Sequence, residues 1–238
     1  MYPYYGYGYY MDWTYILVVI GAVLSIAASA KVNSTFNKYA RVRSMTGLTG
    51  AEAAQRLLYH AGITDVRIEH IRGNLNDHYD PRNKVLRLSD ATYGSNSVAA
   101  VGVAAHECGH AIQHQEDYFP LKLRSALVPV ANIGSRLGLP LVILGVIFSY
   151  NYAMIQIGIW IFSFAVGFQI VTLPVEFNAS SRAVRLLDQQ GILAGREVSD
   201  CKKVLGAAAL TYVAAAAASI LQLLRLILLF GGGRNNRD

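Results

Sequence analysis

Four long apolar runs limit what this chain can fold into. Residues 13–30, 127–148, 153–173 and 207–230 are each about long enough to cross a hydrocarbon core of roughly 30 Å as a helix. Lipid offers no hydrogen-bond partners to a backbone, so such runs read as helices rather than loops or open strands. Charge content agrees: only 15% of the 238 residues are charged, against about 25% in ordinary soluble domains. A disordered chain and a freely soluble domain are therefore both poor readings. No Lys or Arg precedes the first run, Lys31 being the first cation, so that run reads as a retained anchor rather than a cleaved leader. The second and third runs form a hairpin. The fourth carries Arg225 near its end, where a long side chain can reach the headgroups.

Cation placement predicts the topology. Twelve Lys and Arg residues lie between Lys31 and Arg124, and none lies in residues 1–30, so the N-terminus is expected outside and the following segment in the cytoplasm. The hairpin crosses twice, which returns residues 174–206, with five more cations, to that same side. Arg136, inside the second run, is expected to face protein or water, because a lipid-facing Arg is expensive. The expected organisation is a Tyr-rich tail (1–12), a first span (13–30), a cytosolic α+β segment (31–126), a hairpin of two spans (127–173), a cytosolic helical segment (174–206), a fourth span (207–230) and a short tail (231–238). The net charge of +6 needs no nucleic acid, since the cations are spread out rather than clustered with stacking aromatics. The lipid bilayer is the partner implied. Two cysteines, Cys108 and Cys201, are too few for a disulfide framework.

Within the water-facing segment, Thr49 and Glu52 have capping-box spacing ahead of a helix that stops at Gly62. Two short strands are expected around Val66–His70 and Leu86–Leu88, with a turn at Asp80–Asn83 between them. Ser95–Ser97 then offers a cap to a helix reaching about Gln115.

That last helix carries His106-Glu107-Cys108-Gly109-His110, an H-E-x-x-H pattern associated with zinc metalloproteases. Histidines four apart share one helix face, so both imidazoles can reach a single tetrahedral ion. Glu107 lies about 100° round the helix, beside the metal rather than on it, where a carboxylate can take a proton from an attacking water. Chance would supply roughly 0.004 such matches in a chain of this composition. Cys108 reads as a small buried residue against the sheet.

A catalytic zinc keeps three protein ligands. His114 would lie about 12 Å from His106 along a straight helix, too far to share the ion. The extended metalloprotease pattern fails as well, since Glu116 stands where its third His belongs. Glu176 re-emerges from the hairpin on the required side, completing a His106, His110, Glu176 set of the two-His, one-Glu type.

The sequence resembles the YugP-like neutral zinc metallopeptidases of bacterial membranes in three blocks, residues 77–89, 104–114 and 174–180. These are more distantly similar to HtpX-type proteases. The resemblance implies an α-helical integral membrane protein with a small α+β gluzincin-type core. It also implies one zinc per chain on His106, His110 and Glu176, with Glu107 as general base, acting on protein or peptide substrates that can include membrane proteins. Many gluzincins place an Asp four residues after the ligand Glu to orient a metal-bound His. Ser180 stands there, which bears on zinc affinity. The strand Lys84–Ser89 resembles the edge strand that aligns substrate, which would involve Val85, Leu86, Arg87 and Leu88; equally it reads as sheet core. Arg182 reads either as an oxyanion donor or as a solvated helix-face residue. The competing functional reading is a non-catalytic scaffold using the same zinc site structurally.

Overall fold

The computed structural model describes residues 12–231; the two tails expected at 1–12 and 231–238 lie almost wholly outside them. The order is α1 (Tyr15–Tyr39), α2 (Gly50–His60), β1 (Arg67–Ile71), β2 (His78–Asp80), β3 (Val85–Ser89), α3 (Val98–Gln115), α4 (Phe119–Ile147), α5 (Tyr152–Gln189) and α6 (Arg196–Phe230). Helices α1, α4, α5 and α6 are long and apolar enough to cross a membrane.

Local chemistry sets the boundaries of the smaller elements. The Thr49 hydroxyl accepts from the Glu52 N–H at 3.3 Å, and the Glu52 carboxylate accepts from the Thr49 N–H at 2.8 Å. Gly62 follows α2 at φ +71°, the left-handed conformation a glycine adopts without a Cβ penalty. Ser97 Oγ accepts from the Ala100 N–H at 3.2 Å and starts α3. Asp80 Oδ1 accepts from the N–H groups of Arg82 and Asn83, the expected turn.

The sheet has three strands rather than two, in the order β1-β3-β2, with β1 parallel and β2 antiparallel to β3. The additional strand is three residues long and polar, so it lacks the apolar alternation that marks a half-buried strand. Its arrival moves β3 to the centre. Val85, Leu86 and Leu88 are fully buried and hydrogen-bonding neighbours flank the strand on both sides, so the edge-strand reading of Lys84–Ser89 is corrected to sheet core.

The main core lies between α2, α3, the sheet and the near ends of α5 and α6, with Leu57, Leu86, Val101, Cys108, Leu187 and Leu205 among its members. Two of the apolar helices extend well beyond the expected spans. Helix α5 has 38 residues, about 57 Å at 1.5 Å per residue, and passes through Pro174 without stopping. Glu176 is thus in the middle of a helix rather than at the start of one. The first part of α6, from Arg196, likewise projects beyond the run beginning at Ala207. The α+β core and the apolar segments therefore share continuous helices.

Among the apolar helices, α4 packs along α5, α5 along α6, and α6 along α1. Small residues allow the close approach: a Cβ on Gly138 of α4 would lie 2.8–2.9 Å from Phe162 of α5. Arg225 turns inward instead of reaching for headgroups, with its guanidinium over the Tyr15 ring and 3.7 Å from Asp12. Arg136 is exposed on α4.

Candidate metal centre

His106 and His110 project from one face of α3, their rings edge-to-face with centroids 4.7 Å apart. The feature that brings them to α5 is Gly109. A Cβ there would sit 2.7 Å from the Ala179 carbonyl oxygen and 3.1 Å from its Cα, so the two helix backbones touch where a side chain would hold them apart. One turn earlier on α5, Glu176 Oε2 lies 3.3 Å from His106 Nε2 and 3.5 Å from His110 Nε2.

These separations test whether a metal fits. Ligands bonded to zinc at 2.0–2.2 Å in a tetrahedron lie about 3.3–3.5 Å apart along each edge, and the two N···O distances agree. Glu176 Oε2 is also a buried oxygen with no hydrogen-bond partner, an orphan that a cation would satisfy. Among the described residues, His106, His110 and Glu176 are the group of His, Cys, Asp and Glu side chains that could hold a metal ion.

Each imidazole has a polar partner behind it. His106 Nδ1 lies 3.1 Å from Ser180 Oγ and His110 Nδ1 lies 3.0 Å from Gln113 Oε1. Gln113 is fully buried and donates its Nε2 to the Val175 carbonyl and Asn178 Oδ1, both at 2.9 Å. Its oxygen must therefore face His110 as an acceptor, which puts that proton on Nδ1 and leaves the Nε2 lone pair for the ion. Burial disfavours the charged form of His110, but the neighbouring Glu176 and Glu107 carboxylates outweigh it and leave the pKa raised. Arg124 of α4 reaches the other Glu176 oxygen at 3.3 Å, countering part of the negative charge on this ligand.

Glu107 points from α3 toward β2. One carboxylate oxygen accepts from the Tyr79 backbone N–H at 3.0 Å; the other has no protein donor among the described residues. His114 stands on the wall of the same cleft, outside the metal-ligand cluster, and meets the Tyr79 phenol at 2.9 Å. Cys108 is buried, its thiol 3.6 Å from the Ala54 carbonyl of α2; burial pushes that thiol well above its usual range. It sits in the core that Leu57 of α2 and Leu86 and Leu88 of β3 also join.

A cleft of about 690 Å³ runs past Glu107, His110 and Glu176. Its walls include His78 and Tyr79 of β2, Arg124 of α4 and Tyr212 of α6. The expected Arg182 does not line it. That guanidinium is held by Glu116 at 2.7 Å and Asn178 Oδ1 at 2.7 Å, so it is neither aimed at the metal nor a freely solvated face. Arg124 and Tyr212 were not legible as site residues: each lies at the mouth of an apolar run, where a cation or tyrosine also reads as a headgroup anchor. β2 was missed for its brevity.

A His-Glu-x-x-His helix and a carboxylate from a later helix, set among four apolar helices, form the metal-site arrangement of a membrane zinc metallopeptidase family. The chain belongs to the family described as "Putative neutral zinc metallopeptidase", whose model matches residues 14–231. It is similar to the "Putative membrane protease YugP" of Bacillus subtilis (strain 168), with 48% identity over 201 residues that cover 84% of this chain and 89% of the relative. No solved structure matches. Membership implies zinc as the metal, a peptide substrate and association with a membrane.

Proposed function

We propose that this protein is a membrane-bound zinc endopeptidase in which His106, His110 and Glu176 hold the ion and Glu107 acts as general base. The observation that carries this reading is the convergence of two imidazole nitrogens on an orphaned carboxylate oxygen at tetrahedral edge distances, with a second carboxylate one residue along the helix. When bound, zinc polarises a carbonyl and lowers the pKa of water to about 7. The chain supplies the rest. The Tyr79 N–H restrains Glu107 through one oxygen, which leaves the other to accept a proton and pass it to the leaving amine. Ser180 and Gln113 orient the imidazoles, and Arg124 steadies Glu176.

The β2 edge, rather than β3, is the strand that borders the cleft, and we assign it the alignment of an extended substrate by main-chain hydrogen bonds. The distribution of cations supports a site on the cytoplasmic side and an N-terminus outside; a reporter fused at residue 120 that reads as external would overturn that orientation. For the chemistry, Glu107→Gln should retain stoichiometric zinc and abolish cleavage of a casein or membrane-protein substrate. Proteolysis that survives this substitution would refute the mechanism.

A further inference from the structure

The cleft extends from the metal ligands toward the apolar helices. Its wall passes from β2 across the metal ligands to Leu121, Ser125 and Val128 on α4 and Tyr212 on α6. Val128 and Tyr212 belong to the apolar runs, which begin at residue 127 on α4 and 207 on α6. The α5 run ends at Leu173, and Glu176 follows three residues later, a rise of about 4.5 Å. The metal ligands therefore sit less than one helical turn from the hydrocarbon boundary. Helices α4 and α6 both pack on α5 and join one apolar cluster only farther along, around Val142 and Leu226, which leaves the side of the cleft near Val128 and Tyr212 as the candidate slot toward the bilayer.

A polar residue lies deeper on the same side of α4. Arg136 lies eleven residues after Ser125, about 20° from it around the helix, and is exposed with no ion-pair partner among the described residues. Ionisable groups inside a span face protein or a water-filled cavity. A hydrated slot that admits a polypeptide supplies that cavity, whereas a lipid-sealed surface does not.

We infer that the substrate is a membrane-anchored polypeptide whose segment next to its own anchor slides sideways between α4 and α6 to reach the metal, with the scissile bond near the membrane surface. This rests on the endopeptidase reading above. It also sets the cleavage position: about 4.5 Å is one to two extended residues at roughly 3.3 Å each, so the bond cut lies within about two residues of the end of the anchor's apolar stretch.

The test uses the full-length, zinc-loaded protein in liposomes. One set of substrates carries a single membrane helix with the same susceptible sequence 2, 10 or 25 residues beyond it; another is that sequence as a soluble polypeptide. Cut sites are read by mass spectrometry. Cleavage concentrated at the shortest spacing, at least about tenfold faster than at the longest, is expected, since small displacements from a productive geometry cost rates of that order and more. Equal rates at every spacing, or faster cutting of the soluble form, overturns lateral access and leaves the endopeptidase reading standing. The converse failure has its own readout, a photo-crosslinking residue in place of Val128 in a Glu107→Gln background. Capture of the anchored substrate at that position, with no cleavage by the unsubstituted protein, would support the slot while refuting the endopeptidase reading. Absence of capture, with zinc content intact, overturns the slot.

Discussion

Ser180 offers the most discriminating test of the metal site, because it stands where a carboxylate orients the histidine in many similar enzymes. Its hydroxyl lies 3.1 Å from His106 Nδ1, and Nε2 of the same ring faces Glu176. A hydrogen bond between neutral groups contributes about 1 kcal/mol net, and one to a charged group about 1.5–3 kcal/mol. Removing the hydroxyl with Ser180→Ala should therefore weaken zinc binding about fivefold, since 1.4 kcal/mol corresponds to a factor of ten. Ser180 also borders a groove between α5 and α6, which gives a longer side chain room. Ser180→Asp replaces a neutral acceptor with a charged one, making the imidazole a stronger ligand. The added 0.5–2 kcal/mol should tighten zinc binding by roughly two- to thirtyfold. Competition against a chromophoric zinc chelator, with purified protein in detergent, measures both constants. An unchanged constant for Ser180→Ala, or weaker binding by Ser180→Asp with the fold intact, would refute the assignment of Ser180 as the partner that orients His106.

Other outcomes follow from the same contacts. Gly109→Ala forces a methyl group against the Ala179 backbone, so it should cost about 1–3 kcal/mol or more and reduce zinc content as α3 separates from α5; metal analysis and thermal unfolding report both. Gln113→Leu leaves His110 Nδ1 without its acceptor and should weaken zinc binding about ten- to a hundredfold in the chelator competition. Stripping the metal should remove about 4 kcal/mol of stability when free zinc had been a thousand times its dissociation constant, a fall in unfolding temperature that zinc restores and magnesium does not. Cys108 should resist iodoacetamide in the folded protein, because its thiol is buried and kept protonated; rapid alkylation with loss of activity would contradict its structural role.

The parts of the fold legible in sequence are those written in local chemistry. The capping box at Thr49, the Ser97 cap and the Asp80 turn depend on residues within a few positions of one another and appear where the chain predicts them, and the four apolar runs each fall in a helix, though each of those helices extends past its predicted span. The His106–His110 spacing is legible for the same reason, since four residues on a helix are one contact. What escaped depends on tertiary placement. A three-residue polar strand has no periodicity to detect, yet β2 determines that β3 is central, and the backbone of β2 at Tyr79 holds Glu107. Arg182 lies close to Glu176 in sequence, but Glu116 and Asn178 occupy it. Arg124, distant in sequence, takes the place beside Glu176.

The continuity of α5 accounts for the form of the site. A break at Pro174 would have left Glu176 on a separate water-side helix, free to adjust its distance from α3. A single helix from Tyr152 to Gln189 instead ties Glu176, Ser180 and the Ala179 surface that receives Gly109 to the wall that packs on α4 and α6. One rigid element thus carries a metal ligand, the partner of another ligand and the floor of the slot toward the bilayer. A shift of α5 relative to α4 or α6 would move the carboxylate and the substrate path together. Substitutions deep in the α4–α5 packing, such as Gly138→Ala against Phe162, should therefore alter zinc affinity as well as stability, although Gly138 is far along the chain from every ligand. A Gly138→Ala protein that is less stable yet binds zinc with an unchanged constant would show instead that α5 bends independently at Pro174 and that the two ends of the helix are uncoupled.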